Sequence, residues 1–114
     1  MNGIGSVYQL TLRRGNSRHF NVAVYESDGT TPKDMSAETV RCVFAQGGKT
    51  VFTLTEGDGL AITLGNIAVT ISSTRGAMLD PTLRPIYELE FATDVNNSPC
   101  LLYGDILVVP GLDA

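Results

Sequence analysis

Tryptophan is missing from this 114-residue chain, histidine occurs once, cysteine twice, and tyrosine and phenylalanine four times each. A single histidine, His19, removes the paired bases that acid-base catalysis usually draws on. The two cysteines, Cys42 and Cys100, lie far apart, and neither has a second cysteine or a histidine at metal-ligand spacing. They make neither a zinc site nor a disulfide framework. Buried thiols are the preferred reading, although a single bridge across a sandwich core is geometrically conceivable. Positive charge is also scarce: eight Lys and Arg face twelve Asp and Glu, for a net charge of −4. This argues against nucleic acid and anionic membrane as partners, because both need a positive field, while a local basic patch stays open. No apolar run approaches the roughly 20 residues of a membrane-spanning helix. The opening "MNGIGSVYQL" lacks a basic stretch followed by an apolar one, so no secretion leader is expected. Glycines in "GDGLAITLG" lack the following helix that would cradle a phosphate. No cofactor, metal or small-molecule substrate is expected.

What the chain does have is alternation of apolar and polar residues in short runs rich in Val, Ile, Thr, Tyr and Phe, punctuated by Gly, Asn, Asp and Pro. Val7 to Arg13 places Tyr8, Leu10 and Leu12 on one side, and Arg18 to Tyr25 does so with Phe20, Val22 and Val24. The Gly15-Asn16-Ser17 stretch between them reads as a hairpin turn. After a polar connection, Thr39 to Ala45 turns Val40, Cys42 and Phe44 inward, and Thr50 to Thr55 does the same with Phe52 and Leu54. Leu60 to Leu64 and Ile67 to Ser72 flank Gly65-Asn66 as a second hairpin. In "STRGAMLDP", Ser73 or Thr74 is placed to cap one helical turn that Pro81 stops. Pro85 to Asp94 buries Tyr87, Leu89 and Phe91 and exposes Glu88 and Glu90. Cys100 to Val109 closes the chain. The rhythm predicts an all-β fold over residues 1–114, a single Ig-like antiparallel β-sandwich of about seven or eight strands with one short helical turn.

Candidate chemistry is sparse. His19 alternates against Phe20 and Val22 and so faces solvent. Cys42 shares its phase with Val40 and Phe44 and belongs to the core. The Ser72-Ser73 pair is best explained as capping. Glu88 and Glu90 share an outward face without the oxygen-rich loop a calcium site needs. No catalytic residue is assigned, and the chain is not expected to be an enzyme.

Two features point to contacts instead. The last strand is apolar on both faces, which a half-exposed strand should not be. Either its own loops and the N-terminal segment cover it, or its outer face, carrying Leu101, Tyr103, Leu107 and Val109, meets another subunit. Arg13, Arg14 and Arg18 gather at one end of the sheet. They either keep that end soluble or form a polar rim that binds a partner's carboxylates.

Several stretches resemble the N-terminal Ig-like domain of the upper baseplate protein of siphophages and related small tail-region proteins. They are "LTLRRGNS" (Leu10 to Ser17), Val22 to Phe44, "GLAITLGNIAVTISSTRGAMLDPTLRPIYELEFAT" (Gly59 to Thr93) and "LLYGDILVVPGL" (Leu101 to Leu112). The resemblance implies a non-enzymatic virion subunit, placed in host cytoplasm before assembly and then in a tail, baseplate or neck, or on a capsid surface. Its partners would be other virion proteins and further copies of itself. The alternative from another class is a carbohydrate-binding sandwich that adheres to a host surface. The missing tryptophan and the inward phase of Tyr8 and Tyr87 speak against that alternative.

Overall fold

The alternating runs form strands in a computed structural model that describes residues 6–13, 15–26, 28–91 and 100–109. In chain order these are β1 (Ser6–Val7), β2 (Leu10–Arg13), β3 (Arg18–Ala23), β4 (Val40–Gln46), β5 (Lys49–Glu56), β6 (Gly59–Thr63) and β7 (Asn66–Ile71). A helical turn α1 (Ser73–Gly76) and a 3-10 turn (Pro81–Leu83) precede β8 (Ile86–Phe91) and β9 (Cys100–Val109).

One hydrogen-bonded path runs β1-β9-β8-β4-β5-β6-β7-β3, and β2 also pairs with β9. The path folds back on itself at the β5–β6 corner, where only Thr55↔Gly59 and Glu56↔Leu60 are in register. Two layers result: β3-β7-β6 on one side, and β5-β4-β8-β9 with β1 and β2 on the other. This is the immunoglobulin-like pairing, with β3, β7 and β6 as strands B, E and D, and β4, β8 and β9 as C, F and G. The first strand is split and lies parallel to β9, at Ser6↔Leu102 and Val7↔Tyr103 and again from Leu10↔Ile106 to Arg13↔Val109. The corner requires glycine at Gly59. Its φ is +98°, and a Cβ there would come within 2.6 Å of Leu54 Cδ2 and 3.1 Å of the Thr70 carbonyl.

The inward phases of the strands fill the space between the layers. Leu10, Cys42, Phe44, Leu54, Ile67, Val69, Ile71, Tyr87 and Leu89 are buried. Phe44 stacks on Phe52 at a centroid distance of 4.5 Å and on Tyr87 at 6.0 Å, which makes an aromatic stack the centre of the larger layer's inner face. Cys42 is a core residue as expected; the Cys100 side chain lies outside the described residues, and with it the question of how the two cysteines relate.

Four local expectations need correction. Gly15-Asn16-Ser17 is not a hairpin turn: β2 pairs with β9 and β3 pairs with β7, so the turn carries the chain from one layer to the other. The Asn16 N–H closes it on the Arg13 carbonyl at 3.1 Å. The turn between β6 and β7 sits one residue early, at Leu64-Gly65, with Thr63 paired to Asn66. Ser72, rather than Ser73 or Thr74, caps α1, accepting from the Arg75 N–H at 3.2 Å. Pro81 does not simply stop the helical turn but opens the 3-10 turn, which Asp80 caps by accepting from the Thr82 N–H at 2.9 Å.

Arg75 ties α1 to the corner. Its guanidinium donates to both Asp58 carboxylate oxygens, at 3.0 and 2.9 Å, and lies 5.7 Å over the Phe52 ring. Those hydrogen bonds hold the Asp58 carboxyl below, and the Arg75 guanidinium above, their usual ranges.

Candidate interaction surfaces

On β9, alternation sends Ile106 and Val108 into the core and leaves Tyr103 38% and Leu107 47% exposed. Residues paired across a sheet point to the same face. Val7 therefore stands beside Tyr103, Thr11 beside Leu107, and Ile86 beside Asp105. Val7 and Ile86 are exposed as well, so apolar side chains from three strands meet on the outer face around a shallow hollow of about 270 Å³. Glu88, paired with Tyr103, and Asp105 set carboxylates among them. The other two residues expected on this face behave differently. Leu101 sits where the β8–β9 register shifts, between Leu89↔Leu102 and Glu90↔Cys100, and this half-buried side chain packs against the core. Val109 is half-buried beside Arg13.

Glu90 does not share the solvated face predicted for it with Glu88. It is 8% exposed and pairs with Arg41, its cross-strand neighbour, at 3.3 Å. The alternation was right about phase, but the arginine across the strand covers the carboxylate.

The arginines do not form one cluster within the described residues. Arg13 ends β2 on the outer face, exposed. Arg18 begins β3 in the opposite layer and is turned onto its own chain. Its Nη1 donates to the His19 carbonyl at 2.9 Å, its Nη2 reaches the Tyr8 hydroxyl at 3.5 Å, and the guanidinium lies 5.7 Å from the Phe20 centroid. Arg14 lies outside the described residues. His19 faces solvent as expected, with Nδ1 3.1 Å from Thr70 Oγ1. Among the described residues no group of three His, Cys, Asp or Glu side chains could hold a metal ion, and no helix is long and apolar enough to cross a membrane.

Tyr8 is not in the core: it is 44% exposed. Between β1 and β2 the chain bends across β9, where the Tyr8 N–H donates to the Tyr103 carbonyl at 2.9 Å and the Tyr87 hydroxyl donates to the Tyr8 carbonyl at 2.6 Å. Gly104 lies directly beneath this crossing; a Cβ on it would run into the Tyr8 carbonyl. A glycine inside an apolar strand is the sequence signal for such a close approach, and it was legible in "LLYGDILVV" although sequence reasoning did not use it. Swinging outward, Tyr8 comes to lie 6.4 Å from Phe20, ring to ring, at the mouth of a cleft of about 400 Å³ between the layers. Val7, Phe20, Val22, Ala23 and Leu102 also line that cleft. Sequence reasoning gave no hint of it.

No family model and no curated protein matches the chain. It is similar to the Ig-like domain of mouse leukocyte-associated immunoglobulin-like receptor 1, solved as a strand-swapped dimer. The identity is 10%, with 89% of this chain and 88% of that one covered and a TM-score of 0.46. The extracellular domain of the same receptor, also a strand-swapped dimer, gives 11% identity over 90% of this chain and 80% of that one, with a TM-score of 0.46. The fold assignment rests on the strand pairings themselves.

Proposed function

We propose that this chain is a non-enzymatic structural subunit of a phage virion that assembles by protein contact through the outer face of β9. The observation that carries the contact surface is the cluster of exposed Val7, Ile86, Tyr103 and Leu107, brought together from three strands. Covering one large apolar side chain stabilises a contact by about 1.5–3 kcal/mol. A patch of this size is weak alone and effective when symmetry repeats it. Glu88 and Asp105 amid the patch and Arg13 at its margin supply charges of both signs for fixing register. The virion setting is supported by the resemblance in the strand and turn stretches.

The test has two arms. Light scattering on size-exclusion fractions, alone and with the products of the neighbouring genes, should show assemblies that Tyr103→Glu with Leu107→Glu abolishes while circular dichroism stays unchanged. Assemblies that persist in the double variant would refute the surface. The flanking genes should encode tail, neck or capsid proteins; flanking genes of unrelated metabolism would refute the virion setting and leave the surface standing.

A further inference from the structure

We infer that the edge of β3 left unpaired among the described residues and the adjoining cleft form an acceptor site for an extended segment of another protein, apolar at alternate residues and carrying a carboxylate beside Arg18. The β3 edge belongs to the opposite layer from the outer face of β9, and the two surfaces share Val7, which lines both the cleft and the outer-face hollow.

Three observations converge. First, β3 ends the hydrogen-bonded path and pairs only with β7 among the described residues. In an antiparallel strand alternate residues direct their N–H and C=O groups to opposite edges, so half of its six residues present both groups to the free side. Second, Phe20 and Val22 share the inward phase of the buried Val24, yet both are only half-buried, because the layers part at this edge. The cleft between them and Leu102 has room, at about 400 Å³, for apolar side chains projecting from an added strand. Third, Arg18 holds its charge at the mouth of that cleft. It lies over Phe20 and beside the Tyr8 hydroxyl, and neither ion pair among the described residues involves it.

An unpaired edge supplies main-chain affinity, a cleft in phase with one face supplies side-chain selection, and a cation at one end supplies direction. Together these specify strand addition by an extended peptide. The charge complement of Arg18 selects a carboxylate; a bidentate arginine-carboxylate pair is the strong form of that contact.

The experiment uses the full chain and labelled synthetic peptides of alternating valine and threonine that end in glutamate or in lysine at either terminus, read by fluorescence anisotropy and by amide shifts. One glutamate peptide should bind saturably, with shifts confined to β3 and the cleft, and its lysine counterpart about tenfold more weakly. Arg18→Glu should reverse that order. On the unaltered protein, N-methylating the peptide at one set of alternate residues should abolish binding, and at the other set should leave it intact. Absence of saturable binding would overturn the proposal, meaning that the chain itself or a second copy covers the edge. Equal effects of the two N-methylation patterns, or an unchanged peptide order in a folded Arg18→Glu protein, would overturn it as well.

Discussion

Replacing Gly104 by alanine tests the crossing that organises the N-terminal strand. The new methyl would meet the Tyr8 carbonyl oxygen and lie 2.9 Å from the carbonyl carbon, both backbone atoms that cannot rotate aside as a side chain would. Relief must come from lifting the β1–β2 bend off β9. Forcing a group into a packed site costs about 1–3 kcal/mol. Lifting the bend also takes the acceptor away from the Tyr87 hydroxyl, on a residue that is only 2% exposed. Losing that hydrogen bond costs a further 0.5–1.5 kcal/mol or so. A total of about 1.5–4.5 kcal/mol corresponds to a fall in Tm of roughly 6–20 °C for a domain of this size.

The sharper test is the coupling. Tyr87→Phe alone should cost about 1 kcal/mol. If Gly104→Ala has already broken the bond, adding Tyr87→Phe to it should cost less than about 0.5 kcal/mol. Urea denaturation at constant m-value measures all four corners of this cycle. Additive costs, or a Gly104→Ala penalty below about 1 kcal/mol, would refute the account of the crossing.

Three further outcomes are expected. Phe44→Ala removes the ring shared by Phe52 and Tyr87 and should lower stability by about 3–5 kcal/mol in urea titrations; a loss under about 1.5 kcal/mol would contradict its central place in the core. Asp28 accepts hydrogen bonds from the Thr31 hydroxyl, then from the Thr31 and Thr30 N–H groups, which hold its carboxyl at about 2 against an ordinary 3.8. A depressed carboxyl stabilises the fold above pH 3.8, and that contribution fades as the pH falls through about 2. An NMR carboxyl titration should find the midpoint near 2 and see it rise in Thr31→Val, whereas a midpoint at the ordinary value would disprove the turn. Arg75→Met should let the Asp58 carboxyl rise toward its usual range by the same measurement; an unmoved titration would mean that the bidentate pair is not formed in solution.

The strands and their inward phases were legible because burial imposes a period of two on each strand by itself. Val40, Cys42 and Phe44, or Ile67, Val69 and Ile71, need no knowledge of their neighbours to be read as core. Which strand lies beside which is a property of pairs. The reading of Gly15-Asn16-Ser17 as a hairpin failed there, since a turn between two strands looks the same whether the strands pair or part into different layers. Glu90 failed for a related reason: its outward phase is correct, and only its pairing with Arg41 reveals that the carboxylate is covered. Tyr8 failed because alternation was carried through a bend. Of the candidate contact residues, Tyr103 and Leu107 follow from alternation alone, whereas Leu101 turns on a register shift and Ile86 joins the patch only through its pairing with Asp105. The β3 cleft involves β1, β3 and β9 at once and has no sequence signature.

Both proposed surfaces trace back to one choice made by the N-terminal strand. Lying parallel on β9, β2 buries Leu10 and Leu12 to 0% and 3% exposure, each burial stabilising that arrangement by about 1.5–3 kcal/mol. The same placement carries Val7 onto the outer face beside Tyr103 and so enlarges the apolar patch there. It also takes β1 and β2 to the layer opposite β3, which leaves β3 with β7 alone among the described residues and Phe20 and Val22 half-buried. The Gly104 crossing fixes where the strand bends, and so sets the position of both Val7 and Tyr8. Gly104→Ala should therefore weaken assembly through the β9 face and peptide capture at the β3 edge together, while Leu107→Glu should touch only the first. Loss of one without the other in a folded Gly104→Ala protein would show that the two surfaces are not linked through this strand.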